Sequence, residues 1–287
     1  MNRTHIWIPD TQVKPDVPTD HLAWIGEYIR DRKPNVVIHA GDHWDMPSLS
    51  SYDKGTRAME GRRYSDDVEA GNEALALLGA NTSGRLGRTG PGRGRLAVKG
   101  TEWHLLRGNH EDRIRRAIEE NAQMDGAMSF DDLESPGWEV HDFLVPVFID
   151  GIGYSHFWAN PMSGRPLGGM METRLKNIGH SFTAGHQQTL QTGMRFIHGP
   201  AGPVQHRGLV AGACYLHDED YKGPQGNAHW RGIIVKHEVD GLGGYDLMEV
   251  SLDYLCRKYE GVPLWKFLNK KYPDQTGSLW TKPQGER

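Results

Sequence analysis

The sequence predicts an α/β fold in which two β-sheets pack as a sandwich flanked by helices. Three observations point to it. Short apolar runs alternate with amphipathic helical patterns from residue 5 to about residue 124, the mark of strands alternating with helices and of a mainly parallel inner sheet. From about residue 138 the character changes to short strands joined by tight turns. No internal repeat interrupts this order, and 287 residues suffice for one large domain or two small ones.

In chain order, "HIWI" (5–8) reads as a strand and 19–32 as an amphipathic helix. Thr19 is its cap, with Leu22, Ile25 and Ile29 on one face. "NVVIHA" (35–40) is a second buried strand, 65–79 a second helix ending at Gly79, and "EWHLL" (102–106) a third strand, followed by a helix from Asp112 to Met124. "DGIG" within 138–157 signals a hairpin. A short helix is expected at 171–179, and further strands at 181–185, 208–213, 230–239 and 245–252. One domain over 1–253 is expected, with 254–287 as a tail that packs on it or extends from it and carries one short helix.

Composition excludes several classes. Hydrophobic residues make up 37% and charged residues 24%, which suits a globular protein, and the net charge of −4 gives no global attraction to nucleic acid. No apolar run nears the ~18 residues of a membrane span, and the first ten residues lack a secretory h-region. Cys214 and Cys256 form no CxxC pair, so a reducing cytoplasm is expected. The segment 81–100 carries five positive residues, no acid and repeated Gly. It reads as a flexible surface loop, with binding to a polyanion as the alternative.

Strand ends carry the chemistry. "HIWIP" ends at Asp10-Thr-Gln12, "VVIHAG" at Asp42 with Asp45 three residues on, "WHLLRG" at Asn109-His110, "IGYS" at His156, and "SFTAG" at His186-Gln187-Gln188. Ligands of α/β sheets bind beyond the carboxyl ends of strands, so these groups should surround one cleft. Singly, an Asp after a strand is a helix cap or turn residue. Five separate turns, however, have no common reason to end in metal-ligating side chains. Mixed Asp, Asn and His donors suit divalent ions such as Mn²⁺, Fe²⁺ or Zn²⁺.

In this order the motifs "DTQ" (10–12), "GDHWD" (41–45), "GNHE" (108–111), His156 and "GHQQ" (185–188) resemble the signature of calcineurin-like metallophosphoesterases: D-x-H, G-D-x-x-D, G-N-H-[DE], a lone His and G-H-x-H. The compact form resembles members from bacteria and their phages. The resemblance implies that Asp42 bridges two divalent metal ions. One would also take Asn109, His156 and His186, and the other Asp10, Gln12 and Gln188, where the family usually has His in place of both Gln residues. Amide oxygens are harder, uncharged ligands. Mn²⁺ is therefore expected overall, with Mg²⁺ or Ca²⁺ as alternatives at the Asp10/Gln12/Gln188 site and Zn²⁺ or Fe²⁺ at the His156/His186 site.

The implied activity is hydrolysis of phosphate esters by a metal-bridging hydroxide, with His110 as general acid oriented by Asp45. Phosphodiesters of nucleotides or nucleic acid are favoured. A phosphomonoesterase or protein phosphatase is the alternative, and a catalytically weak scaffold a further one. Glu111 and Asp112 are expected to begin the next helix. Arg57, Arg62, Arg165, His217, Tyr221 and His229 lie in loops after metal-bearing or later strands and are the candidates for substrate binding. No membrane association and no obligate protein partner is inferred. The expected location is cytoplasmic, in the host cytoplasm if phage-encoded.

Overall fold

Side-chain alternation along the strands dictates the layering. A computed structural model describes residues 2–82, 96–199 and 202–283. In β1 (Arg3–Ile8), Ile6 and Ile8 point to one face while Trp7 points to the other, and all three are fully buried. A strand buried on both faces needs a layer above and below it. One face of this sheet is covered by α1 (Asp20–Arg32) and α2 (Tyr64–Thr82), the other by a second sheet.

The first sheet holds six strands in the order β11-β10-β1-β2-β3-β4. β1, β2 (Val36–His39), β3 (Glu102–Leu106) and β4 (Glu139–His141) run parallel, while β10 (Gly232–Val239) and β11 (Asp246–Ser251) are antiparallel additions at one edge. The second sheet holds five strands in the order β5-β6-β7-β9-β8. β6 (Ile152–Ser155), β7 (Ser181–Ala184) and β9 (Gly202–Ala211) are parallel, and β5 (Val147–Ile149) and β8 (Leu190–Gly199) are antiparallel at the edges. Between the sheets lie Trp7, Ile38, Leu106, Ile152, Leu209 and Ile234. α3 (Arg113–Glu120) follows the loop after β3, and α4 (Met171–Ile178) packs Met171 and Leu175 against Phe182 and Val210 on the far face of the second sheet. The result is the expected α/β sandwich of two mixed sheets flanked by helices.

Most elements fall where the sequence places them, and the departures have local causes. The "DGIG" hairpin forms between β5 and β6, with Asp150 and Gly151 at φ of 48° and 77°, both positive as a type I′ turn requires. Thr19 occupies the cap position of α1, but its side chain accepts no capping hydrogen bond. α2 runs through Gly79 to Thr82, because Gly79 is buried within the helix and ends nothing. α3 stops at Glu120, and a single 3₁₀ turn (Ala122–Met124) completes the expected helix. β9 begins at Gly202 and ends at Ala211, earlier at both ends than 208–213.

Beyond the expectation lie β8, the short helix α5 (Gly223–Asn227), and a second helix in the tail. There α6 (Leu252–Glu260) and α7 (Leu264–Lys271) bury Leu255, Cys256, Leu264 and Leu268 against α1 and the first sheet. No helix among the described residues is long and apolar enough to cross a membrane. Most of the Gly/Arg-rich segment 81–100 lies outside the described residues.

Candidate metal centre and cleft

The parallel strands of both sheets end at one rim. β1, β2 and β3 bring Asp10, Gln12, Asp42 and Asn109 from the first sheet, and β6 and β7 bring His156, His186 and Gln188 from the second. Ligand atoms of Asp42, His156 and His186 all lie within 4.8 Å of one another. Asn109 Oδ1 is 3.0 Å from His156 Nε2, and Asp42 Oδ2 is 3.3 Å from the same nitrogen. The His186 backbone N–H donates to both Asp10 oxygens, at 3.1 and 2.9 Å.

The tight motifs need glycine. A Cβ on Gly108 would stand 2.0 Å from Asp42 Oδ1, and one on Gly185 2.3 Å from Asp10 Oδ1. Both carboxylates therefore rest on bare backbone. Asp42 itself has φ 48° and His186 φ 60°, so both ligands sit in the left-handed region. Non-glycine residues are uncommon in that region, and those held there cluster where a site imposes geometry.

The Asp42 loop is fixed by Glu111, which does not begin the next helix as expected. Its carboxylate is buried and accepts from the backbone N–H of Asp42 (3.0 Å), His43 (2.6 Å), Trp44 (3.1 Å) and Gly108 (2.7 Å). One side chain thus ties the "GDHWD" and "GNHE" turns together. Asp112 pairs with Arg115 at 2.8 Å. The sequence signal was available, since the fourth position of "GNHE" is an acid.

The donor set fits divalent cations. Gln12 Oε1 is buried with no hydrogen-bond partner among the described residues. Asp10 is fully buried, and burial pushes its carboxyl up to about 8, against the opposing pull of His156. A free acceptor and a carboxylate short of positive charge, side by side, are what a cation would satisfy. His156 Nδ1 lies 2.9 Å from the Ala40 carbonyl, which can only accept, so the proton sits there and Nε2 faces the ligands. Burial lowers the His156 imidazole, but Asp42 and Asp10 raise it to about 10, and a cation would have to displace that second proton. Burial, then His156, lowers His186 to about 4 and leaves it a neutral ligand. Gln188 is partly engaged already, because its Oε1 accepts from the Tyr215 hydroxyl at 2.8 Å.

His110 stands beside this group. Its Nδ1 is 2.6 Å from Asp45 Oδ1 and 2.9 Å from the Asp45 carbonyl, so Nε2 faces the cleft, 3.7 Å from Asp42 Oδ2 and 3.4 Å from the Arg113 guanidinium. Burial would lower the imidazole, but Asp42 and Asp45 outweigh it and raise it above its ordinary value. Asp45 is fixed in turn by Lys14 at 3.2 Å, which also meets Glu219 at 2.9 Å.

A cleft of about 330 Å³ opens here, lined by Gln12, Asp42, His110, His186, Gln188, Tyr221 and Lys222. A wider hollow of about 640 Å³ lies along α2, but Glu69, Glu73, Asp131, Asp132 and Glu134 line it with negative charge and would repel a phosphate. Chemistry therefore favours the smaller cleft.

Of the six expected substrate-binding residues, Tyr221 lines the cleft and the others do not. Arg62 is held by its own loop, donating to Asp53 Oδ2 at 2.8 Å and to the Pro47 carbonyl at 3.1 Å. Arg57 lies exposed on a 3₁₀ turn (Arg57–Met59), and Arg165 is exposed in its own loop. His217 is buried, facing Glu219 at 2.8 Å, and so ends the Lys14–Glu219 network. His229 stands behind Tyr215, 3.3 Å from its hydroxyl. The residue the sequence reading passes over is Lys222, whose Nζ donates to the Tyr215 hydroxyl at 3.2 Å and whose pKa burial lowers to about 8.

No family model matches this chain. Over 69 residues, 24% of the chain, it is 39% identical to Gene 54 protein of Mycobacterium phage L5. The matched stretch spans 27% of that protein's length. One solved crystal structure aligns over 88% of this chain and the whole of its own, at 9% identity and a TM-score of 0.40.

Proposed function

We propose that this chain is a metal-dependent phosphoric ester hydrolase of the calcineurin-like metallophosphoesterase kind, acting by preference on phosphodiesters of nucleotides or nucleic acid. One observation carries the reading. Carboxylate, amide and imidazole donors from both sheets meet at one rim, beside an imidazole whose far nitrogen is held by a carboxylate.

Asp42, Asn109, His156 and His186 would hold one cation, and Asp10, Gln12, Gln188 and Asp42 a second, with Mn²⁺ the best match to this mixed donor set. A bound divalent pair supplies charge neutralisation of the phosphate and activation of water. The chain's own groups supply the rest. Asp45 fixes the His110 tautomer with the Nδ1 proton toward itself, so a second proton at Nε2 faces the cleft and can pass to the departing oxygen. The preference for nucleotide or nucleic-acid esters rests on Tyr221 and Lys222 at the rim: an exposed ring on which a base can stack, and a neighbouring ammonium for phosphate.

The test is a metal-dependence panel on the full chain. Hydrolysis of bis-p-nitrophenyl phosphate should vanish with chelator and return with Mn²⁺. Parallel assays with p-nitrophenyl phosphate and single-stranded DNA separate a diesterase from a monoesterase. Absence of metal-dependent turnover on all three substrates would leave a scaffold and end the proposal.

A further inference from the structure

A second group of potential ligands lies on the first sheet, on strands that end at the rim but with its own side chains. β3 and β4 pair in parallel, with His104 opposite Glu139 and Leu106 opposite His141. Because the side-chain period of a strand is two, His104, Glu139 and His141 all project from the same face. His104 Nδ1 and His141 Nε2 stand 3.1 Å apart, and the rings stack with centroids 5.3 Å apart. Glu139 approaches both, with Oε2 at 3.4 Å from His104 Nδ1 and Oε1 at 3.9 Å from His141 Nε2.

We infer that His104, His141 and Glu139 form a second metal site that takes a divalent transition ion, Zn²⁺ above all, independently of the cleft. Ligand atoms around a tetrahedral Zn²⁺ with Zn–N near 2.0–2.1 Å lie about 3.3 Å from one another, so the three donors need only small side-chain rotations to enclose the ion. Two imidazoles and one carboxylate select Zn²⁺ over Mg²⁺ or Ca²⁺ and leave a fourth position for water.

A separate observation supports the assignment. His104 is 7% exposed, and its other nitrogen, Nε2, is buried with no hydrogen-bond partner among the described residues. With a metal on Nδ1 that nitrogen must carry the proton, and Glu102 Oε2, 4.0 Å away, would have to swing closer to accept it.

The position suggests what the ion does. β4 is a three-residue edge strand, and the chain beyond it carries Phe143, whose ring centroid is 6.0 Å from that of His156. β3 leads directly into Gly108–His110. A Zn²⁺ across β3 and β4 would fasten both segments where they approach the cleft.

The experiment uses the full chain without a polyhistidine tag and titrates it with Zn²⁺ by calorimetry, with melting temperature as a second readout. The Asp42→Asn variant, which lacks the carboxylate shared by both proposed cleft cations, should still bind Zn²⁺ outside the cleft and melt higher with the ion. Adding His141→Ala should abolish both effects, and adding Glu139→Gln should weaken binding about tenfold or more. Glu139 has a side chain 67% exposed, so its variant should fold even if His104→Gln does not. The inference fails if Asp42→Asn binds no Zn²⁺, or if its affinity is unchanged by His141→Ala. The two rings would then simply share a proton across their 3.1 Å contact.

Discussion

His110 and Asp45 define the chemistry that single residues would perform. Replacing His110 with Ala removes the proton donor without touching a ligand, so kcat should fall by roughly 10²–10⁴ while bound Mn²⁺, read by elemental analysis, stays unchanged. The pH dependence follows from the raised imidazole. A donor must be protonated, so a raised pKa would keep the proposed hydrolysis going to higher pH, and its rate should fall as pH climbs through that value. Asp45→Asn removes part of the support, so its alkaline limb should move to lower pH than the wild-type limb. An unmoved limb would mean that His110 is not the titrating donor. Glu111 acts differently, since it touches only backbone. Glu111→Gln replaces a carboxylate that accepts four N–H groups with an amide whose NH₂ must face some of them. A loss of about 2–4 kcal/mol in urea unfolding is expected, with Mn²⁺ affinity lost alongside.

At the scale of elements, legibility followed hydrophobic pattern. "HIWI" and "EWHLL" end in the fully apolar runs of strands buried on both faces, and their positions were plain. β8 was not legible: "LQTGMRFIHG" is interrupted by Gly193, exposes Met194 and Phe196, and pairs along its length with β9 alone. The convergence of the candidate ligands was legible because they follow buried strands. The arginines were not, because no local pattern discloses that Arg62 is consumed by Asp53.

β10 carries a further element-scale consequence. Lys236 points between the sheets, is fully buried, and meets the hydroxyls of Thr183 and Tyr154. Burial drives its pKa far down, so the folded state holds fewer protons here than the unfolded chain. Stability from this group therefore rises with pH up to the unfolded value near 10.5, by at most ~1.4 kcal/mol per pH unit. Urea midpoints at pH 7 and pH 9 should show a gain in the wild type that exceeds the gain in Lys236→Met. Equal gains would show that Lys236 is charged in the fold.

For the whole molecule, the described part of the tail, 254–283, belongs to the helical layer. Trp24 Nε1 donates to Glu260 at 2.8 Å, Tyr272 bonds Asp20 at 2.5 Å, and Trp280 joins the same core. A chain ending at Asp253 would uncover Trp24, whose ring packs edge-on against that of Phe267 with centroids 5.2 Å apart. Its thermal transition should broaden or disappear, and dye binding should report exposed apolar surface. A sharp transition in the shortened chain would show that the layer is dispensable.

The candidate ligands are divided between two sheets whose seam is largely apolar, crossed by a few polar contacts such as His5 and Lys236 to the Tyr154 hydroxyl, and apolar contact tolerates sliding better than directional bonds do. A cation gripping Asp42 on one side and His156 with His186 on the other would act as a rivet through the seam. Stripping the ion would then cost more than turnover. The loosened halves should breathe, amide protons of the strands lining the seam should exchange faster, and proteases should find the chain easier to cut, so that mineral supply sets how long the protein survives as well as how fast it works.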